Sequence, residues 1–282
     1  GNNIHVKGDN FRAKIRSEQK LTLTALQYNG KEMIHESNGL SLNWYRSVNN
    51  DKYTDLRYYP TTFTKKSFAF EMDKNRKFIT FTIVKDAVIQ RPEKPVSMEY
   101  RMKYTIYSNG VIDVEANFEK PANEPIIRRL GLGMILPEGM EYIEWYGNGP
   151  HENYSDRITS AFVGTYKSTV KNMGDEHYIR AQSMGNREGV RWLTIVDKDN
   201  NGMKITSKDK MNFSTLHFSD EALWNARHDF KLEGIRKPQT YLNLDCIQQG
   251  LGNASCGPLP LEEYMIPENT PLSYSFRIEP LK

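Results

Sequence analysis

Residues 77–84, KFITFTIV, set Phe78, Thr80 and Thr82 against Ile79, Phe81 and Ile83, a period of two rich in β-branched and aromatic side chains. That alternation predicts a half-buried strand. The same pattern runs through MKYTIYSNGVIDVEANF (102–118), breaks at Ser108-Asn109-Gly110 and resumes. This predicts a hairpin, because Asn-Gly accepts the positive φ angles of a tight two-residue turn. WLTIVDKDNNGMKITS (192–207) repeats the device with Asn200-Asn201-Gly202 at its tip, and TYLNLDC (240–246) and LSYSFRIEPL (272–281) read as further strands. Helical periodicity is confined to SDEALWNARH (219–228). There Ser219 is the expected N-cap, Asp220 and Glu221 fill the first turn, and Ala222, Leu223 and Ala226 follow, for about three turns.

Strands recurring every ~8–15 residues along the chain, with turns between them, predict an all-β sandwich or barrel. No Pro/Ser/Gly linker and no fixed-period repeat interrupts the pattern, so one domain over 1–282 is expected. The weakest seam is KPANEP at 120–125. Composition changes this picture little: 38% hydrophobic and 26% charged residues suit a globular chain of 282 residues with a large core. The formal charge of +3 is dispersed, without a Lys/Arg block dense enough for nucleic acid. No apolar run approaches the ~18–20 residues that span a bilayer, so neither nucleic acid nor membrane is an expected partner. The chain shows no signal-peptide apolar stretch and opens on Gly1, which suggests a processed fragment. Localisation stays open between the cytoplasm and an extracytoplasmic compartment, since an export signal could precede Gly1.

Cys246 and Cys256 lie ten residues apart across a glycine-rich stretch; two free thiols are expected, although a hairpin could join them. No Cys or His grouping has metal spacing and GLGNASCG lacks the βαβ context of a nucleotide site, so no metal and no cofactor are expected. The chemistry that does stand out is of the kind that binds sugars, where an aromatic ring meets C–H faces and planar polar side chains satisfy hydroxyls. EWYGNGPHENYSDRITSAFVG (144–164) supplies Trp145, Tyr146, His151, Glu152, Asn153, Asp156 and Arg157; SMGNREGVRW (183–192) supplies Asn186, Arg187, Arg191 and Trp192; LDCIQQGLGNASCGP (244–258) supplies Gln248, Gln249 and Asn253. Structural roles compete: Trp145 and Trp192 read first as core residues, and Asp156–Arg157 and Glu188–Arg191 as ion pairs pinning loops. Glu152 and Asp156 could be a glycosidase carboxylate pair, yet their i, i+4 spacing suits a helix and Pro150 with its neighbouring glycines argues for a loop.

WYGNGPHENYSDR resembles the W-[YF]-G-x-G-P-x-E-N-Y-x-D-R stretch in the C-terminal β domain of glycoside hydrolase family 2 β-galactosidases. MGNREGVRWL is similar to that family's E-N-G-N-R-x-D-V-R-W-L, and FSTLHFSDEAL to its F-S-x-x-H-[YF]-[ST]-x-x-x-L. YLNLDCIQQGLGNASCGP and LSLNWYRSVNNDKY resemble two further family stretches, so the likeness runs from roughly residue 8 to 281 in the family's order. The resemblance implies a β-supersandwich, the galactose mutarotase-like fold, as the last domain of a longer polypeptide. It implies that the catalytic glutamates lie on a separate TIM barrel and that this chain carries no catalytic residue. It also implies that the loop Gln248–Pro258 completes a sugar pocket beside that barrel. Where many members place an aromatic platform after the Ser, this sequence has Cys256, a departure that reads as a subtype. The expected sugar-binding set is His151, Glu152, Asn153, Asn186, Arg187, Gln249, Asn253 and Cys256, with bracing favoured for Asp156 and Arg157 and exposure for His151 and Glu152. Expected partners are β-galactoside sugars and the other domains of the parent enzyme; homo-oligomerisation is left open. Two alternatives stand beside this reading: a free-standing aldose mutarotase using His151, His177 and Glu152, and a purely structural interaction module.

Overall fold

A computed structural model describes residues 3–18, 22–51, 59–91, 94–119, 127–253, 256–267 and 271–281. The seam proposed at 120–125 lies outside the described residues. Among the described residues, sixteen strands carry the fold. A four-stranded antiparallel sheet holds β1 (Asn3–Lys7), β2 (Phe11–Arg16), β3 (Leu23–Tyr28) and β4 (Lys31–Glu32) in sequence order. The other twelve are β5 (Ser41–Asn43), β6 (Thr61–Met72), β7 (Phe78–Ile89), β8 (Val96–Tyr107), β9 (Ile112–Glu119), β10 (Arg129–Leu136), β11 (Tyr142–Gly149), β12 (Phe162–Thr169), β13 (Arg187–Val196), β14 (Gly202–Leu216), β15 (Thr240–Gln248) and β16 (Leu272–Leu281). They form one curled antiparallel sheet, the all-β supersandwich expected, with the path β12-β11-β13-β14-β16-β9-β8-β7-β6.

That sheet forks at β14. Residues Gly202–Ser207 pair with β16, whereas Asn212–Leu216 pair with β15, which in turn pairs with β10 and, through it, with β5. The core lies between the layers. Ile79, Phe81 and Ile83 point inward while Phe78, Thr80 and Thr82 face out, as the alternation requires. They join Met102, Tyr104, Val114, Phe118 and Phe276 in a single cluster that also takes Ile15, Leu23 and Leu26 from the small sheet. Polar ties fix the two sheets together, with Tyr28 Oη donating to the Gly110 carbonyl at 2.8 Å and Thr22 Oγ1 bonded to Tyr104 Oη.

Both predicted hairpins are present, with turns that differ from the tight two-residue form. Between β8 and β9 only Gly110 takes a positive φ, +86°, so four residues rather than two make the turn. Between β13 and β14 the left-handed residue is Asn200 (φ +62°), and Gly202 is already paired with Val196. Asp197 organises that turn by accepting from the amides of Asp199 (2.8 Å) and Asn201 (2.9 Å). The predicted helix is shorter than three turns. After a four-residue helix α1 (Val170–Met173), α2 (Asp220–Ala226) starts with Ser219 Oγ accepting from Ala222 N at 3.1 Å. It stops where Arg227 turns to φ +62°. Leu223 and Ala226 bury its inner face against Leu216 and Phe218.

Candidate functional site

The three polar-aromatic segments meet at one end of the forked sheet, around the loop that leaves β15 at Gln248. The chain from Gln249 to Gly252 is held by side chains from two other loops. Arg46 Nη1 donates to the Gln249 carbonyl and Nη2 to the Gly250 carbonyl at 2.9 Å. Asn50 Nδ2 donates to the carbonyls of Leu251 and Gly252, each at 2.9 Å. From the other side, Asp156 accepts the amides of Leu251 (3.0 Å) and Gly252 (2.7 Å), and Arg157 Nη2 donates to the Gly252 carbonyl at 2.7 Å. Glycine is required here on steric grounds, since a Cβ on Gly250 would lie 2.6 Å from Asp156 Cγ and Gly252 sits at φ +59°. Beneath the loop, Leu251 packs on Tyr154 and Val48.

Arg46 is itself locked by Asp51, at 2.7 Å to Nε and 3.3 Å to Nη2, in a wholly buried pair that Arg128 approaches at 3.6 Å. A second buried pair lies nearby, where Asp245 takes a bidentate grip from Arg129 at 2.9 and 2.8 Å. Gln248 links the two groups, accepting from Arg46 and donating to Asp245 at 3.0 Å and to Asn186 Oδ1 at 2.9 Å.

Asn153 and Asn186 form a reciprocal clasp. The Asn153 amide donates to the Asn186 carbonyl at 3.0 Å and Asn186 Nδ2 returns to the Asn153 carbonyl at 2.8 Å. Asn153 also accepts from Glu188 N at 2.9 Å and donates to the His151 carbonyl at 2.9 Å. Both asparagines are buried, as are Arg187 and Gln249. Arg187 lies 5.4 Å above the Trp145 ring and donates to the Pro150 carbonyl at 3.0 Å; burial pulls its guanidinium down to about 10. Trp145 is a core residue, whereas Trp192 stays partly exposed on the outer face beside Tyr146 and Lys204. Of the eight expected sugar-binding residues, His151, Asn253 and Cys256 are exposed.

Glu152 departs from expectation. It is drawn inward, accepting from Gly185 N at 2.6 Å and from the Tyr178 hydroxyl, and burial raises its pKa against those two bonds. Glu152 and Asp156 therefore each have both carboxylate oxygens committed to bracing, which leaves neither free as a glycosidase acid or nucleophile. His151 bonds to Ser160 Oγ at 3.0 Å and His177 to Asp229 at 3.1 Å, both at the surface. Among the described residues no group of His, Cys, Asp and Glu could hold a metal ion, and no helix is long and apolar enough to cross a membrane.

Residues 7–278 match the family described as beta galactosidase small chain. The chain belongs to that family. The beta-galactosidase of Streptococcus thermophilus is 28% identical over 99% of the chain, and that of Halalkalibacterium halodurans 27% identical over 98%. The chain spans 27% of the length of each. Among solved structures, one provisionally assigned as an aldose 1-epimerase from Escherichia coli K12 aligns over 99% of the chain and 98% of its own, with TM-score 0.48 and 7% identity.

In this small chain both cysteines are free thiols, Cys246 half-buried and donating to the Ser273 carbonyl at 3.6 Å, with burial pushing it up to about 12, and Cys256 exposed. The groups that the sequence singled out least are Arg46, Asp51, Asn50 and Tyr178, yet the first three share the loop's anchoring with Asp156 and Arg157. Glu188 supplies a pH handle on the same cluster. Burial pushes its carboxyl from 4.5 to about 7, with Asp156 adding to the rise and the Ser155 amide, Arg46 and Asn212 opposing it. Between those two values the folded chain holds a proton that the unfolded chain releases, so stability falls as pH rises through this window and is level above it. Replacing the group with an amide removes the charge while keeping an acceptor for Asn212. Glu188→Gln is expected to raise stability at pH 8 by ~1–2 kcal/mol, after allowing for partial exposure, and to leave stability at pH 4 unchanged. Urea titrations across pH 4–8 check it; an equal or lower midpoint at pH 8 would contradict the assignment.

Proposed function

We propose that this chain is a non-catalytic, carbohydrate-associated domain of a glycoside hydrolase family 2 β-galactosidase. In this reading it is one domain of a longer polypeptide, and its loop end completes the leaving-group side of a sugar site whose catalytic carboxylates stand on a separate TIM barrel. The substrates are terminal β-D-galactosides.

The observation that carries the reading is the holding of Gln249–Gly252 by Arg46, Asn50, Asp156 and Arg157. Gln249–Gly252 are buried and fixed through their own peptide groups, so the exposed Asn253 that follows them loses little freedom when it meets a ligand or a neighbouring domain, and that preorganisation is what a completing wall of a binding site needs. It also divides the candidate residues by role. Glu152, Asn153, Asn186 and Arg187 brace the loop end from within, Gln249 is itself held there through its peptide groups, and His151, Asn253 and Cys256 stand at the surface where a sugar's hydroxyls would meet them.

Calorimetric titration of the chain with galactose and lactose tests this. Binding of millimolar strength or tighter is expected, about tenfold weaker in Asn253→Ala and in His151→Ala, since each removes one directional hydrogen bond. Heat that neither substitution changes would remove the loop end from the site. Hydrolysis of a β-galactoside by the chain alone would overturn the non-catalytic assignment. The interaction-module reading holds alongside this one. Phe162 and Val163 are 70% and 51% exposed on the edge strand β12, opposite Gly149 and Asn148, an apolar edge beside the loop end that suits another domain of the parent protein.

A further inference from the structure

The branch β5–β10–β15 forms a second polar concavity that shares no lining residue with the loop end. Its floor is β10, where Gly131 stands opposite Asn43 of β5 and Gly133 opposite Asn243 of β15. With no side chain between them, Asn43 Nδ2 donates across the strand to Asn243 Oδ1 at 2.9 Å, and Asn243 Nδ2 continues to Ser214 Oγ at 3.2 Å. A Cβ on Gly133 would enter this space, 3.0 Å from Asn243 Oδ1 and 3.7 Å from Asn43 Nδ2. Tyr45, Tyr241 and Glu221 contribute to the walls of a cavity of ≈ 390 Å³. That volume lies within the ~300–1,000 Å³ typical of small-molecule sites.

We propose that this glycine-floored trough binds a single neutral pyranose. An asparagine amide has two N–H donors and an oxygen with two lone pairs. The cross-strand bond uses one donor of Asn43 and one lone pair of Asn243, fixing both amides while leaving capacity for a ligand. A sugar hydroxyl both donates and accepts, so neutral amides of this kind match it, and Tyr45 and Tyr241 in the lining supply aromatic surface for its C–H groups. No Lys or Arg lines the cavity, and Glu221 would repel an anion, which argues against a phosphate or carboxylate ligand. Asp220 is already engaged by Ser183 at 2.5 Å and Arg129 at 3.2 Å. The trough stands apart from the loop reading; only the choice of galactose as a probe rests on it, and glucose serves as the second probe.

The test is titration of the ¹⁵N-labelled chain with D-galactose and with D-glucose, followed at the side-chain amides of Asn43 and Asn243 and at the backbone amide of Asn253. Saturable shifts at both asparagine side chains are expected. They should weaken at least tenfold in Gly133→Val, whose side chain plugs the floor. If that variant does not fold, Asn43→Ala carries the same expectation at Asn243. Unmoved trough signals with either sugar overturn the proposal, as do shifts that survive the plug. A response confined to Asn253 overturns the trough and leaves the loop reading standing; a response confined to Asn43 and Asn243 supports the trough and counts against the loop.

Discussion

Arg46→Ala is expected to cost about 3–5 kcal/mol, the usual penalty for removing one partner of a buried ion pair and leaving the other charged. Asp51 would lose its close partner, while Arg128 stands 3.6 Å away. The carbonyls of Gln249 and Gly250 would lose their donor in the same step. The loss is large against the 5–15 kcal/mol that stabilises an ordinary domain, so the variant is expected to fold but with a markedly lower urea midpoint. Two further readouts separate this account from a general loss of packing. Hydrogen exchange at the Leu251 and Gly252 amides should accelerate more than in the β7–β8 core, because the loop opens locally. Adding Asp51→Asn should recover part of the loss, since a buried carboxylate that has lost its closest cation is the expensive element. A double variant as destabilised as the sum of the singles would show that the pair does not anchor the loop in the way described.

The sequence carried the strands because their signal is local. In KFITFTIV each side chain's face is set by its parity, and the alternation survives in the folded sheet from Phe78 to Ile83, breaking at Val84, which is buried beside Ile83. The turns were legible in position and less so in form, because Gly110 and Asn200 alone absorb the positive φ. The role of Ser219 was legible too, yet the helix ends a turn early at Arg227, a stop that nothing in the residue type announces. The loop end is harder for a different reason. Asp156 and Arg157 were readable as braces because they stand in a loop next to glycine and proline, but what they brace lies 95 residues away. Arg46 reaches over 200 residues to its carbonyls, and an arginine after Trp-Tyr in a strand-like run looks like any solvent-facing cation until the fork of the sheet buries it. Glu152 illustrates the same limit in reverse: exposed by its loop context, it is drawn inward by Tyr178 and the Gly185 amide, contacts that exist only once the 178–185 segment has folded onto it.

The fork also explains why the core and the loop end are one mechanical unit. β14 is paired along its first half to β16, deep in the sheet, and along its second half to β15, whose end launches the loop. Phe213 sits on that second half and touches Trp145, with ring centroids 5.8 Å apart. Core packing and loop position are thus joined through two strands rather than through a flexible connection.

Trp145→Ala is expected to cost about 3–5 kcal/mol, in the range for a large aromatic truncated in a core that cannot fully collapse around the gap. Trp145 is 1% exposed, packs on Tyr166 at 5.4 Å as well as on Phe213, and donates Nε1–H to the Asn148 carbonyl at 3.1 Å. The consequence for the site follows from its outer neighbour. Arg187 rests over the Trp145 ring while holding the Pro150 and Asn186 carbonyls, so the ring supports a cation that ties the 150–153 turn to β13. A buried guanidinium without that face keeps its desolvation penalty and loses its compensation. Trp145→Phe retains a ring and should keep most of the stability, whereas Trp145→Ala should also release Arg187, detectable as faster exchange at the Glu188 amide held by Asn153. A double-mutant cycle between Trp145→Phe and Arg187→Lys is expected to give a coupling of roughly 0.5–2 kcal/mol, with no coupling at all between Arg187→Lys and a distant core change such as Phe81→Leu. Zero coupling in the first cycle would mean that the ring and the cation are neighbours without mutual support, and that the asparagine clasp alone sets the 150–153 turn.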